Sequence, residues 1–350
     1  MAEASTTAQE AAPTVHEDRF GPKTIREDDV LEVRDLRTYF ATRWGTVKAV
    51  DGVSFSLKHG ETLGIVGESG SGKSVTALSL MRLIPSPPGH IVAGEVILNG
   101  RDVLTLSESQ MSRVRGAEIS IILQDPMTAL NPVFSIENQV GEAIRIHQGL
   151  SGSSLWNKII DALRRVRIPA PEARAKDYPH QLSGGMRQRV VGAIGISSEP
   201  SVLIADEPTT SLDVTIQAGY LRLLKEIQAS TGVGIIFITH DFGIVAKMCD
   251  RVAVMYAGRI VETGDVRQIF NAPTHPYTQA LIESVPKLEE KADRLRQIEG
   301  QPPVLYNLPS GCPFAPRCQR VTDRCREEYP DTNSAADGHT YNCWNPVLHE

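Results

Sequence analysis

From residue 30 onward, short apolar runs bounded by glycine, proline or charged residues alternate with longer stretches of helical period. Residues 61–66 (Glu-Thr-Leu-Gly-Ile-Val) have the length of a strand, are apolar over their last four positions, and are followed by a glycine. A strand covered on both faces has this pattern, because successive side chains point to opposite sides of the sheet. Similar runs recur at 119–123, 201–205, 234–239 and 251–256. Strands spaced by helical segments predict an α/β fold. Between about 126 and 185 the strands stop, while 136–148 and 155–166 keep a helical period, which predicts a helical insertion in the α/β core. Past 265 the pattern breaks up at Pro273, Pro276, Pro302, Pro309, Pro313 and Pro316. That stretch, 266–350, predicts a small extension that needs something besides an apolar core to order it.

Composition changes this picture in three ways. Hydrophobic residues are 41% and charged residues 22% of the 350, an ordinary globular balance. The first thirty residues hold seven acids and three bases, −4 of the total −6, with no apolar core of a signal peptide. Residues 1–29 are therefore expected to be a disordered tail not marked for export, and the body is nearly neutral, without the basic footprint of a nucleic-acid binder. No apolar run approaches the ~18 residues of a membrane span.

The candidate chemistry begins at Gly67-Glu68-Ser69-Gly70-Ser71-Gly72-Lys73-Ser74, which fits the P-loop pattern with a strand before it and an apolar helical run after it. Glycines let successive N–H groups turn inward toward phosphates, and the helix N-terminus adds partial positive charge. Lys73 is expected to reach the terminal phosphates of ATP, and the Ser74 hydroxyl to ligate Mg²⁺. A second strand, 201–205, delivers Asp206 and Glu207 at its C-terminal end, where open α/β sheets bind ligands. Asp206 suits the Mg²⁺ shell, and Glu207 suits a general base for an attacking water.

At Leu182-Ser183-Gly184-Gly185-Met186-Arg187-Gln188-Arg189 the sequence resembles the signature motif of ABC-type ATPases. Other marks of that family occur in order: Gln124 ending a strand like the glutamine loop, Ser211-Leu212-Asp213 like the D-loop, and His240 like the switch histidine. The resemblance covers about 30–265. It implies a P-loop ABC ATPase domain with a RecA-like core, an antiparallel β subdomain and a helical subdomain. It also implies ATP contacts from Phe40, Ser69, Gly70, Ser71, Gly72, Lys73, Ser74, Thr76 and Gln124, with Gln124 also near Mg²⁺. Phe40 would stack on adenine; either Phe40 or its neighbour Tyr39 is otherwise a strand core aromatic, since the two face opposite ways. His240 would contact the γ-phosphate. Ser183, Gly184 and Gly185 would face the ATP of a partner subunit, so that a complete site needs two ATPase chains. Residues 193–198 depart from the alanine-rich helix usual after the signature, a matter of packing rather than chemistry.

Residues 124–132, 272–278 and 311–318 resemble the dipeptide and oligopeptide importer group within that family. The resemblance implies a peripheral subunit on the cytoplasmic face of the membrane. Its partners would be a second related ATPase, two permeases and an extracytoplasmic substrate-binding protein, with no nucleic-acid partner. Import of a sugar or of nickel is the alternative within the group, and a soluble ABC ATPase acting on nucleic acid is the alternative outside it. Four of the five cysteines, Cys312, Cys318, Cys325 and Cys343, crowd the extension with none of the two-residue spacings of a structural zinc site. Together with the resemblance this gives the expectation of a [4Fe–4S] cluster, with zinc or four metal-free thiols as alternatives. Cys249 stands apart and is expected to be a buried core residue.

Overall fold

The structure, a computed structural model, describes residues 28–210, 212–285 and 297–349, without the side chains of Pro126 and Met127. The expected tail lies almost wholly outside the described residues, as does Ser211. Strands β1 (Asp29–Thr42) and β2 (Gly45–Lys58) form a long hairpin, and β3 (Thr62–Val66) leads into the P-loop. Strands β4 (Gly89–Leu98) and β5 (Arg101–Asp102) return to the hairpin, closing a four-stranded antiparallel sheet in the order β2-β1-β4-β5. The remaining strands are β6 (Ile119–Ile122), β7 (Val202–Asp206), β8 (Gly234–Thr239), β9 (Arg251–Tyr256), β10 (Arg259–Asp265), β11 (Asn333–Ala336) and β12 (His339–Tyr341). They join β3 in an eight-stranded sheet, β11-β12-β10-β9-β3-β8-β7-β6, whose central strands are parallel.

Every apolar strand expected from the sequence is present, and its two-faced burial is explicit. Leu63 and Ile65, Val202 and Ile204, and Ile236 and Ile238 point toward the antiparallel sheet, together with Leu31, Leu36 and Val96. Leu203, Ala205, Ile235 and Phe237 point the other way, into a core shared with the helices. Truncating one of these buried leucines or isoleucines to alanine costs about 2–5 kcal/mol. The helical insertion forms through Ile136–Gln148 and Gly152–Arg165, whose Val140, Ile144, Ile159 and Leu163 recur at a four-residue spacing on the buried face.

The helix Gly184–Ile196 carries the departure from the alanine-rich pattern. A Cβ at Gly195 would stand 3.2 Å from Ile122, so the small residue lets the helix lie close on β6. No helix among the described residues is long and apolar enough to cross a membrane.

The extension is better built than its proline content predicts. Its hairpin β11–β12 adds to the edge of the central sheet through β10. The buried Glu262 carboxylate of β10 accepts bonds from the Thr274 and His275 amides and lies 2.7 Å from His339 Nε2. Phe314 enters the main core, 5.3 Å from both Tyr256 and Tyr277 between ring centroids.

The expectation of an iron–sulfur cluster is overturned. Among the described residues no group of three or more His, Cys, Asp or Glu side chains is placed to hold a metal ion, and all five cysteines are free. Cys312, Cys318, Cys325 and Cys343 do line one small cavity, but in company with Phe314 and Trp344. Burial pushes Cys312 up to about 11 and Cys343 up to about 12, so they stand as neutral thiols packed as small hydrophobes. Asn345 Nδ2 and Thr322 Oγ1 lie 3.4 and 3.3 Å from Cys325 Sγ. Cys249 is buried as expected; its sulfur would stand 2.8 Å from a Cβ at Gly64.

Candidate nucleotide site

The P-loop takes the shape its glycines allow. Gly67 has φ +154° and Gly72 has φ +107°, and a Cβ would meet Met255 O at 2.1 Å and Ala49 O at 2.3 Å respectively. Gly72 caps the helix Lys73–Leu80, so the loop ends on a row of helix N-terminal amides. Ser69, Gly70 and Ser74 are exposed along the cradle, while Ser71 and Lys73 are buried in its wall. Lys73 Nζ folds back onto its own loop, donating to Gly67 O at 2.8 Å and Glu68 O at 2.9 Å. Burial lowers its pKa, opposed by the Glu207, Asp206 and Glu68 carboxylates. Thr76 lies one turn further on, fully buried, with its hydroxyl bonded to Gly72 O.

Strand β7 ends in the two expected carboxylates, and they differ. Asp206 is buried, and burial raises its pKa against a hydrogen bond from Ser74. Its Oδ1 has no hydrogen-bond partner. An orphaned buried carboxylate oxygen beside a serine hydroxyl is the donor chemistry a Mg²⁺ ion takes, so these residues fit the cation. Glu207 has φ +45°, a left-handed backbone that turns its side chain off the strand end. Burial pushes its carboxyl up, but hydrogen bonds from His240 and Thr210 and the nearby Lys73 charge hold it below the ordinary value.

Three regions of sequence meet on that carboxylate. Gln124 Nε2 donates to Glu207 Oε2 at 2.9 Å, Thr210 Oγ1 donates to it at 3.0 Å, and His240 Nδ1 lies 3.1 Å from Oε1. Thr210 was not singled out from the sequence. Its signal was only its place three residues after Glu207, which reaches back over a turn.

The neighbouring aromatics separate. Tyr39 OH donates to Asp51 at 2.6 Å, and Arg37 and Arg259 fill the remaining valences of that buried carboxylate. Phe40 has no such tie; it pairs with Gly89 on β4, where a Cβ would stand 2.7 Å from its ring. Two residues along, Thr38 bonds Ser79 of the helix after the P-loop, so this face of β1 abuts that helix.

The signature residues stand elsewhere. Ser183 caps the helix Gly184–Ile196, accepting from the Met186 amide at 3.3 Å. Ser183, Gly184 and Gly185 line an open groove with Arg189, Leu212, Asp213 and Ile216, and no P-loop residue borders it. Asp213 caps the helix Val214–Thr231 through the amides of Thr215 and Ile216.

Comparison with known proteins now bears on this geometry. The family model for the ABC transporter matches residues 50–210, and the model for the oligopeptide/dipeptide transporter C-terminal region matches 261–325. A dipeptide transport ATP-binding protein, DppD of Bacillus subtilis, is 50% identical over 91% of this chain and 95% of its own length. The chain belongs to the ATP-binding subunits of ABC transporters. Within this ABC family, DppD of Escherichia coli is 47% identical over 91% of this chain and 97% of its own length. Among solved structures, CbiO1 of Clostridium perfringens, part of an ABC transporter complex, superposes with TM-score 0.60 at 29% identity, covering 70% of this chain and 92% of that one. The fold and the ATPase activity of this ABC subunit follow from these likenesses, and the α/β class expected from the sequence stands.

Proposed function

We propose that this chain is the ATP-hydrolysing subunit of an importer of dipeptides or oligopeptides, peripheral on the cytoplasmic face of the membrane. In this reading residues 30–265 are the ATPase domain, with its helical insertion at about 126–185, and 266–350 are the extension. The chain works with a second related ATPase, two permeases and an extracytoplasmic substrate-binding protein. The relatives' names, the two family matches and the formal net charge of −6 support peptide transport over action on nucleic acid.

The observation that carries the catalytic part is the convergence of Gln124, Thr210 and His240 on Glu207, beside the free oxygen of Asp206. The loop amides at 69–74 receive the phosphates, and Lys73 leaves its loop carbonyls to meet the terminal ones. Ser74, Asp206 and Gln124 would hold Mg²⁺, which supplies neutralisation of phosphate charge when bound. Glu207, kept ionised by His240 and Thr210, accepts the proton of the attacking water. His240 steers that carboxylate and, in this reading, contacts the γ-phosphate. Phe40 supplies the adenine platform. Ser183, Gly184 and Gly185, with Asp213 beside them, present a helix N-terminus to the nucleotide held by the partner ATPase.

Glu207→Gln keeps the hydrogen-bonding shape and removes the base. In the assembled transporter it is expected to bind ATP normally and lose turnover by about 10²-fold or more. Near-normal hydrolysis by that variant rules Glu207 out as the base.

A further inference from the structure

Two of the segments that resemble the peptide-importer group, 272–278 and 311–318, have no role in the chemistry above. Both end on the same residue, Glu68, the second position of the P-loop. Arg317 donates to its carboxylate through two nitrogens, Nη1 to Oε2 at 2.7 Å and Nη2 to Oε1 at 2.9 Å. That paired geometry is the strongest form of a charged hydrogen bond. The Arg317 side chain is 3% exposed, and three other groups aim its guanidinium: the carbonyls of Glu299 (3.0 Å) and Ile298 (3.3 Å) and the hydroxyl of Tyr256 (3.3 Å). From the other segment comes Tyr277, fully buried, whose hydroxyl accepts the Glu68 amide at 2.9 Å. Its ring lies 4.5 Å from that of Tyr256 and is backed by Phe314.

The third polar group of Glu68 points to the chemistry. Its carbonyl accepts Lys73 Nζ at 2.9 Å and the Ser71 amide at 3.2 Å. One residue thus has its side chain and amide fixed by the extension and its carbonyl bonded to the phosphate-binding lysine. The Glu68 amide shares one planar peptide unit with the Gly67 carbonyl, which also accepts Lys73 Nζ at 2.8 Å, so holding that amide holds a carbonyl that binds the lysine.

We propose that Arg317 and Tyr277 are positioning residues for ATP binding, acting through Glu68 to hold the P-loop in its phosphate-receiving shape. The extension is the outer wall of the nucleotide site. By linkage, a change in the packing of the extension alters ATP affinity, and ATP drawing Lys73 away from Glu68 is felt at Arg317. The inference rests on the reading that Lys73 and its loop bind the nucleotide.

A mutant cycle tests it by titrating Mg-ATP into the full-length chain and measuring KM and kcat in the assembled transporter. Arg317→Ala, Glu68→Gln and Tyr277→Phe are each expected to weaken ATP binding, the first two by roughly ten-fold, the scale of coupling through a packed network. They raise KM and leave kcat at saturating ATP within about two-fold, while Arg317→Lys recovers part of the affinity. Arg317→Ala combined with Glu68→Gln is expected to be no worse than either alone, since both cut one link. Glu68→Gln leaves Arg317 on its two carbonyls, so it carries the test if Arg317→Ala does not fold. Additive losses, or wild-type ATP affinity in folded Arg317 and Glu68 variants, overturn the coupling. Lys73→Ala measured alongside keeps the two readings apart: retained affinity there overturns the site reading, and lost affinity there with unaltered Glu68 and Arg317 variants overturns the coupling alone.

Discussion

The nucleotide end and the C-terminal extension solve opposite problems. At the nucleotide end the backbone does the work: glycines at 67 and 72 bring amides and a helix end to one place, and a single oxygen, Asp206 Oδ1, is buried without a partner. The extension is tied to the body of the protein by side chains and by strand pairing. Glu262 of β10 is met by two amides of the extension and by His339, burial keeps Cys312 and Cys343 neutral, and Arg317 is spent on the carboxylate of Glu68. The cysteine cavity belongs to the packed extension: Phe314 and Trp344 share its lining with these two neutral thiols.

The same contrast explains what could be read in the sequence. The P-loop, the 201–207 strand and the signature are contiguous, so each motif carries its own local geometry, and all three took their expected places on strand ends and helix starts. The convergence of Gln124, Thr210 and His240 on Glu207 joins segments up to 116 residues apart (240 minus 124), which only the sheet order brings together. The Glu68–Arg317 pair spans 249 residues and had no local signal at all. The cysteines misled because spacing counts ligands but not their burial or their orientation. Phe314, Trp344 and the added hairpin supply the order that the proline-rich composition lacked.

Two perturbations sharpen the contrast, one at each end. Phe40→Ala acts at the nucleotide end and is expected to weaken ATP binding by about ten-fold, since stacking on a base is worth ~1–3 kcal/mol. Tyr39→Phe, which removes only the bond to Asp51, leaves ATP affinity nearly unchanged. ATP titration of both variants checks this, and the reverse ranking moves the adenine platform to Tyr39.

The smaller effect is at the extension. Burial pushes His275 down to about 4, against the attraction of Glu262, and its Nδ1 accepts the Tyr277 amide. The unfolded chain therefore binds more protons than the native one between the ordinary histidine value and about 4. Stability held above that window is lost as pH falls through it. Thermal melts at pH 7 and pH 4.5 are expected to show a drop in midpoint that His275→Asn, which can still accept the amide as a helix cap, reduces. An equal drop in both proteins assigns the acid sensitivity elsewhere.

Stoichiometric iron or zinc in anaerobically purified protein breaks the contrast outright, by making the extension a ligand site.

The account stands most directly on coupling between ATP hydrolysis and peptide movement. The measurement is uptake of a labelled dipeptide or oligopeptide into proteoliposomes that carry this chain with its partner ATPase and permeases, with the substrate-binding protein supplied on the face opposite to ATP. The account predicts uptake with Mg-ATP and loss of both uptake and hydrolysis in Glu207→Gln. Hydrolysis that proceeds with no peptide movement, or uptake that persists at full rate in Glu207→Gln, contradicts it.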